Sequence, residues 1–227
     1  MSTIINFGVP AHGHVNPSLP VLRELVRRDE QVVSCNTEEF RPQIEATGAT
    51  FFPYPATDLT AAAISTALGH KQIGRFMALM AHATEKLLPW ARDELSRQRP
   101  DLVVFDSTAV WGKAASTLGN LPTTAFFTHF VLAGAKKNFW TPGAVLQVLG
   151  LLLYLPALAS VYLRLGSRYG RRAFPLRGRF LPLRGDLNLV FAPRELQPDT
   201  PVIDFATLRS RLCTPSVKTR SSRFSAV

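Results

Sequence analysis

Residues 3–26 read TIINFGVPAHGHVNPSLPVLRELV. TIINFGV (3–9) is a short, β-rich apolar run. After a loop holding two histidines, Leu19, Leu22 and Val26, with Val21 and Leu25, recur at the three-and-four spacing of one helix face. A strand, a polar loop and an amphipathic helix in that order make a βα unit. In open parallel sheets ligands bind beyond the carboxyl ends of the strands, so residues 10–16 belong at a mouth and not in a core. Asn16 followed by Pro17 offers an N-cap and a first helical residue, which predicts a helix starting just after the histidines.

The same alternation continues outward. QVVSC (31–35) is a second strand, EEFRPQIEATG (38–48) a short helix ending at Gly48, and TFFPY (50–54) a third apolar run. QIGRFMALMAHATEKLLPWARDELSR (72–97) has helical periodicity, with a break predicted near Pro89. DLVVFD (101–106) and TTAFF (123–127) are buried strands on either side of the helical AVWGKAASTLG (109–119), and DLNLVFA (186–192) is a last strand. Strands alternating with helices imply right-handed crossovers, so the fold class is α/β: a Rossmann-like parallel sheet with helices on both faces. Residues 1–205 form one such domain, and 206–227, basic, acid-free and aperiodic, are expected to be a disordered tail.

The chain has 227 residues and a net charge of +10, with pI near 10.3. The charge is unevenly placed: no acid lies between Asp106 and Asp186, while Arg164, Arg168, Arg171, Arg172, Arg177, Arg179 and Arg184 crowd the second half of that interval. They follow AVLQVLGLLLYLPALASVYL (144–163), long enough to span a bilayer if helical, although Pro142, Pro156 and Gln147 weaken that reading. Apolar residues followed by arginines suit a membrane surface or a lipophilic ligand better than the reading of bases. The plainer alternative, preferred at this point, is a buried helical hairpin broken at Pro156. No nucleic-acid partner is expected. Two distant cysteines and no recognisable leader point to a cytoplasmic protein, in peripheral contact with a membrane at most.

Four chemistries compete for the histidine loop. GVPAHGHV (8–15) has P-loop glycine spacing, but His14 and Val15 stand where a lysine and a hydroxyl residue are required. A dinucleotide turn needs closer glycines than Gly8 and Gly13. His12 and His14 lack a third ligand nearby, so neither a metal nor any other cofactor is expected. Acid–base chemistry remains: a histidine can take a proton from a bound hydroxyl if a carboxylate holds its other ring nitrogen. Asp106 ends a buried strand at the same sheet edge, where the structural alternative is an N-cap. Ser107 adjoins it without the surroundings of a nucleophile elbow.

PAHGHVNPSLPVLREL, IEATGATFFPY, RPDLVVFD and FAPRELQPD together resemble successive landmarks of the UDP-glycosyltransferases of the GT-B fold, especially the bacterial macrolide glycosyltransferases, over about residues 1–200. The resemblance implies that His14 is the general base and Asp106 its partner in inverting transfer from a UDP-sugar to a hydroxyl of a lipophilic small molecule. It implies an acceptor-binding domain, with substrate contacts from Gly13, Asn16, Ser107, Phe127, Thr128, His129, Phe130 and Trp140, and with 139–163 walling the pocket. VRRDEQV (26–32) replaces a usual glycine-histidine turn, a change expected to stay within a surface loop. The family's second, nucleotide-sugar domain is absent from the 227 residues, so this chain is expected to need a complementary donor-binding chain or to act as an acceptor-binding or membrane-surface subunit.

Overall fold

The computed structural model describes residues 1–69, 73–128, 142–174 and 183–191. Its strands are β1 (Thr3–Phe7), β2 (Gln31–Asn36), β3 (Thr50–Pro53), β4 (Leu102–Asp106), β5 (Thr123–Phe127) and β6 (Leu187–Val190). Its helices are α1 (His12–Arg27), α2 (Arg41–Glu45), α3 (Ala61–Gly69), α4 (Ile73–Gln98), α5 (Val110–Gly119) and α6 (Pro142–Tyr169). All strand pairs are parallel, in the order β3-β2-β1-β4-β5-β6. The chain therefore builds outward from β1 in one direction, then crosses back to add β4 on its other side. The switch point lies between the carboxyl ends of β1 and β4.

The strands are apolar on both faces, as a sheet covered on both sides requires. Ile5, Phe7, Val33, Cys35, Val103, Phe105, Ala125 and Phe127 join one core cluster with α4, α5 and part of α6. On the opposite face, Ile4, Val104 and Phe126 meet Val21 and Leu25 of α1, while Val32 and Phe51 pack with Val15, Leu22 and Ile44. Trp111 is fully buried, and its Nε1–H donates to the Tyr54 hydroxyl at 3.2 Å. That hydroxyl donates in turn to the Gly8 carbonyl at 2.8 Å, tying the loop after β1 to the core. Gly8 sits so close to β2 that a Cβ there would fall 2.6 Å from Asn36 Nδ2.

Three local expectations are corrected, all at prolines. Helix α1 starts at His12, with Ala11 as its N-cap, so Asn16 and Pro17 lie inside it along with Pro20. Those prolines remove bonds to the carbonyls of Gly13 and Asn16, and both residues are exposed, where water can satisfy what the helix does not. Helix α4 runs unbroken through Pro89. An interior proline costs about 3 kcal/mol, but burying side chains such as Leu87, Leu88 and Leu95 is worth roughly 1.5–3 kcal/mol each. Helix α6 likewise passes Pro156 as one helix, and it is not buried as a hairpin would be: Val161 and Leu165 face the core while Leu153 is 81% exposed.

The Arg28-Asp29 turn is exposed, and Asp29 takes a left-handed φ of 61°. The departure from a glycine there stays in a surface loop, at a conformation aspartate tolerates better than most residues. The expected tail 206–227 lies outside the described residues.

Candidate functional site

The loop leaving β1 turns at once into α1, so His14 occupies the first helical turn, its N–H and that of Val15 directed at the Ala11 carbonyl at 2.8 and 2.9 Å. Asp106 ends β4. Because β1 and β4 are adjacent, two residues 92 apart in sequence meet at the switch point, with His14 Nδ1 2.7 Å from Asp106 Oδ2. The His14 side chain is 19% exposed and that of Asp106 5%. A carboxylate only accepts, so Nδ1 carries the proton and Nε2 is the basic nitrogen. Burial is the largest influence on His14 and opposes its protonation. The hydrogen bond and charge of Asp106 together outweigh it, and the ring's pKa lies above its ordinary 6.5.

The other oxygen of Asp106 is held from its own loop. Thr108 N–H donates to Oδ1 at 2.9 Å and the Thr108 hydroxyl at 2.6 Å. The carboxylate thus acts both as a turn acceptor and as the partner of His14, one oxygen for each. Thr128, just beyond β5, places Oγ1 2.8 Å from His14 Nδ1 and 3.5 Å from Asp106 Oδ2.

Against the sheet, His14 and Asp106 share a small hollow lined by Asn6, Ser18, Ser34 and Asn36. Asn6 Nδ2 donates to Ser34 Oγ at 2.9 Å, while Asn6 Oδ1 is buried without a hydrogen-bond partner among the described residues, so this end of the face can hydrogen-bond a hydroxyl.

The remaining sequence candidates scatter. A Cβ on exposed Gly13 would meet no atom of the described residues within 4 Å. Asn16 is exposed on α1. Ser107 is fully buried, with no partner for its hydroxyl among the described residues, and Phe127 lies in the core cluster on the face opposite Asp106. His12 is exposed and meets the Phe40 ring edge-on at 5.0 Å, away from the pair that His14 makes. His129, Phe130 and Trp140 lie outside the described residues. On α6, Leu158, Val161 and Tyr162 of the apolar segment, with Leu165 just beyond it, line a cavity with Met77, Met80 and Thr84 of α4 and Val110 of α5; this cavity shares no residue with the hollow at His14 and Asp106. Among the described residues no group of three or more His, Cys, Asp or Glu is arranged to hold a metal ion.

Thr108 was not foreseen, although a hydroxyl residue two places after an aspartate at a strand end is a known turn pattern. Thr128 was foreseen as a substrate contact and lies against the dyad.

No family profile matches the chain. It is 32% identical over 200 residues to the NDP-glycosyltransferase YjiC of Bacillus licheniformis, a match spanning 85% of this chain and 46% of that protein. It is 30% identical over 128 residues to the oleandomycin glycosyltransferase of Streptomyces antibioticus, spanning 56% of this chain and 30% of the relative. Among solved structures, the kitacinnamycin glycosyltransferase superposes with a TM-score of 0.68 at 23% identity, covering 90% of this chain and 50% of its own. The calicheamicin glycosyltransferase CalG4 gives 0.63 at 22%, covering 87% and 49%. The chain thus spans at most about half the length of the relatives it matches.

Proposed function

We propose that this chain, which shares the fold of one half of the GT-B glycosyltransferases it is similar to, supplies the acceptor side and the general base of an inverting UDP-sugar transfer. One observation carries the reading: His14 Nδ1 pairs with Asp106 Oδ2 at 2.7 Å at the switch point of the sheet, which makes Nε2 the basic nitrogen of the ring. In the reaction, a hydroxyl of the acceptor gives its proton to His14 Nε2 and its oxygen bonds to the anomeric carbon as the bond to UDP breaks. A single displacement inverts that carbon. Asp106 stabilises the imidazolium and keeps the tautomer. The apolar cavity beneath α6 favours a lipophilic acceptor, and one structural relative of the same fold was solved with spinosyn aglycone. The donor would be held by the portion that longer relatives have beyond the matched half.

The test is reconstitution of the chain with a donor domain, by fusion or as a second chain, followed by assay with a UDP-sugar and a lipophilic hydroxylated acceptor. General-base assistance is worth about 10²–10⁴ in rate, so His14→Ala lowers turnover by that order and His12→Ala by far less. An undiminished rate with alanine at 14 refutes the assignment. Equal harm from both, relieved by added metal, points to a metal site instead.

A second reading, peripheral contact with a membrane, draws on one feature. The helix segment Gly150–Tyr169 is long and apolar enough to cross a bilayer and only 11% buried, with Leu152, Leu153, Leu155 and Leu163 exposed. Flotation with anionic vesicles tests it; a chain that stays in the aqueous fraction refutes it.

A further inference from the structure

A carboxylate turns easily about its Cβ–Cγ bond, since that torsion is broad and roughly two-fold. One hydrogen bond to His14 does not fix it. Moreover, Asp106 has a competitor: Thr128 Oγ1 lies 2.8 Å from the same ring nitrogen that Asp106 Oδ2 approaches at 2.7 Å. A neutral hydroxyl stabilises an imidazolium less than a carboxylate does, because only the latter bond is charge-assisted at the acceptor. Which acceptor dominates therefore depends on how firmly the carboxylate is aimed.

Thr108 supplies the aim. Its N–H and its hydroxyl reach Oδ1 from two directions, at 2.9 and 2.6 Å, and together fix the carboxylate plane with Oδ2 turned to His14. Asp106 is 4% and Thr108 7% exposed, so water competes poorly for these bonds. The bonds do not cap α5 directly, since Ala109 is its N-cap and Thr108 precedes it. We propose that Thr108 is a positioning residue of the site, its hydroxyl holding Asp106 as the dominant acceptor of the His14 Nδ1–H against Thr128. This rests on the reading of His14 as the base, and it names the group that keeps the base in working form.

The experiment labels the full chain with ¹⁵N-histidine and follows the tautomer and titration of His14 by long-range ¹H–¹⁵N correlation. The wild-type ring is expected as the Nδ1–H tautomer when neutral. Thr108→Val, an isostere that keeps the backbone N–H and deletes the hydroxyl, shifts it toward a mixture with the Nε2–H tautomer and lowers its titration midpoint. Thr108→Ser keeps both at wild-type values, and Asp106→Asn sets the full extent of the change. Thr108→Ala repeats the deletion without added bulk should the valine variant fail to fold. A wild-type tautomer and midpoint in the valine or alanine variant overturns the proposal.

In the reconstituted enzyme, Thr108→Val lowers kcat about tenfold with KM unchanged, and serine restores it, in keeping with groups that orient a functional side chain from behind. If His14→Ala leaves turnover intact, the base reading falls while the tautomer result still decides the role of Thr108.

Discussion

A histidine that serves as a base must be neutral before it can act, and Asp106 makes that harder for His14 by raising its pKa against the opposing effect of burial. The acid limb of the rate profile is accordingly expected above pH 6.5. Asp106→Asn removes the charge and leaves at most a neutral acceptor for the hydrogen bond, so the limb moves to lower pH even as maximal turnover falls, because an uncharged amide stabilises the imidazolium far less. Stability runs the other way. A group whose folded pKa exceeds its unfolded value contributes fully below the unfolded value and loses that contribution as pH rises through the folded one. The stability advantage of wild type over His14→Gln is therefore full below pH 6.5 and shrinks as pH rises through the raised folded value, measurable by urea titration at each pH. Cys35, by contrast, is fully buried and its thiol is pushed far above the ordinary range by desolvation, then by the charge of Glu94. It should resist alkylation in the native chain and react on unfolding, as mass mapping of the labelled peptide will show. At this scale the sequence disclosed His14 and Asp106, because each sits where a strand ends and chemistry needs its residue type. The rivalry of Thr128 was not legible, since it depends on His14, 114 residues away in the chain, whereas the hold of Thr108 on Asp106 is a local turn pattern too common to single out without knowing that His14 needs the carboxylate aimed.

Among the elements, the strands were the most legible, as two-sided burial writes itself as a continuous apolar run. The helices were misread at Pro17, Pro89 and Pro156, where a local penalty of a few kcal/mol is outweighed by burial or relieved by water at exposed carbonyls. Helix α6 offers a direct check of how it packs. Leu165→Ala should cost about 2–5 kcal/mol, as buried truncations do, whereas Leu153→Ser on the exposed side should stay within about 0.5 kcal/mol. Comparable losses at the two positions would mean that the exposed side is covered. Helix α5 tests close approach: a Cβ on Gly112 would lie 2.9 Å from Phe7 Cβ and 3.1 Å from Phe105 Cβ. Alanine gains about 1 kcal/mol of helix propensity but forces α5 off β1 and β4, a strain of typically 1–3 kcal/mol, so packing is expected to win. Gly112→Ala should lower the urea midpoint with its slope unchanged.

For the molecule as a whole, the sheet order places His14 and Asp106 at the point where the order of strand addition reverses, between the parallel neighbours β1 and β4, and the matched half of the longer relatives coincides with this one sheet. Titration calorimetry of the 227-residue chain with UDP should show no binding in the micromolar range, because the β1 loop, with Gly8 and Gly13 alone, does not form a phosphate cradle. Micromolar binding would mean that donor and acceptor roles are divided differently from our proposal. The order of strands also bears on synthesis. Phe7 pairs beside Phe105, so β1 leaves the ribosome about 100 residues before the neighbour that will cover its second edge. At about 5–20 residues per second that interval is roughly 5–20 s. Throughout it the nascent chain carries an open, apolar strand edge, the kind of template on which chains aggregate. The demand of this protein on chaperones is thus set by the delay between its first and fourth strands, the same delay that must end before His14 can meet Asp106.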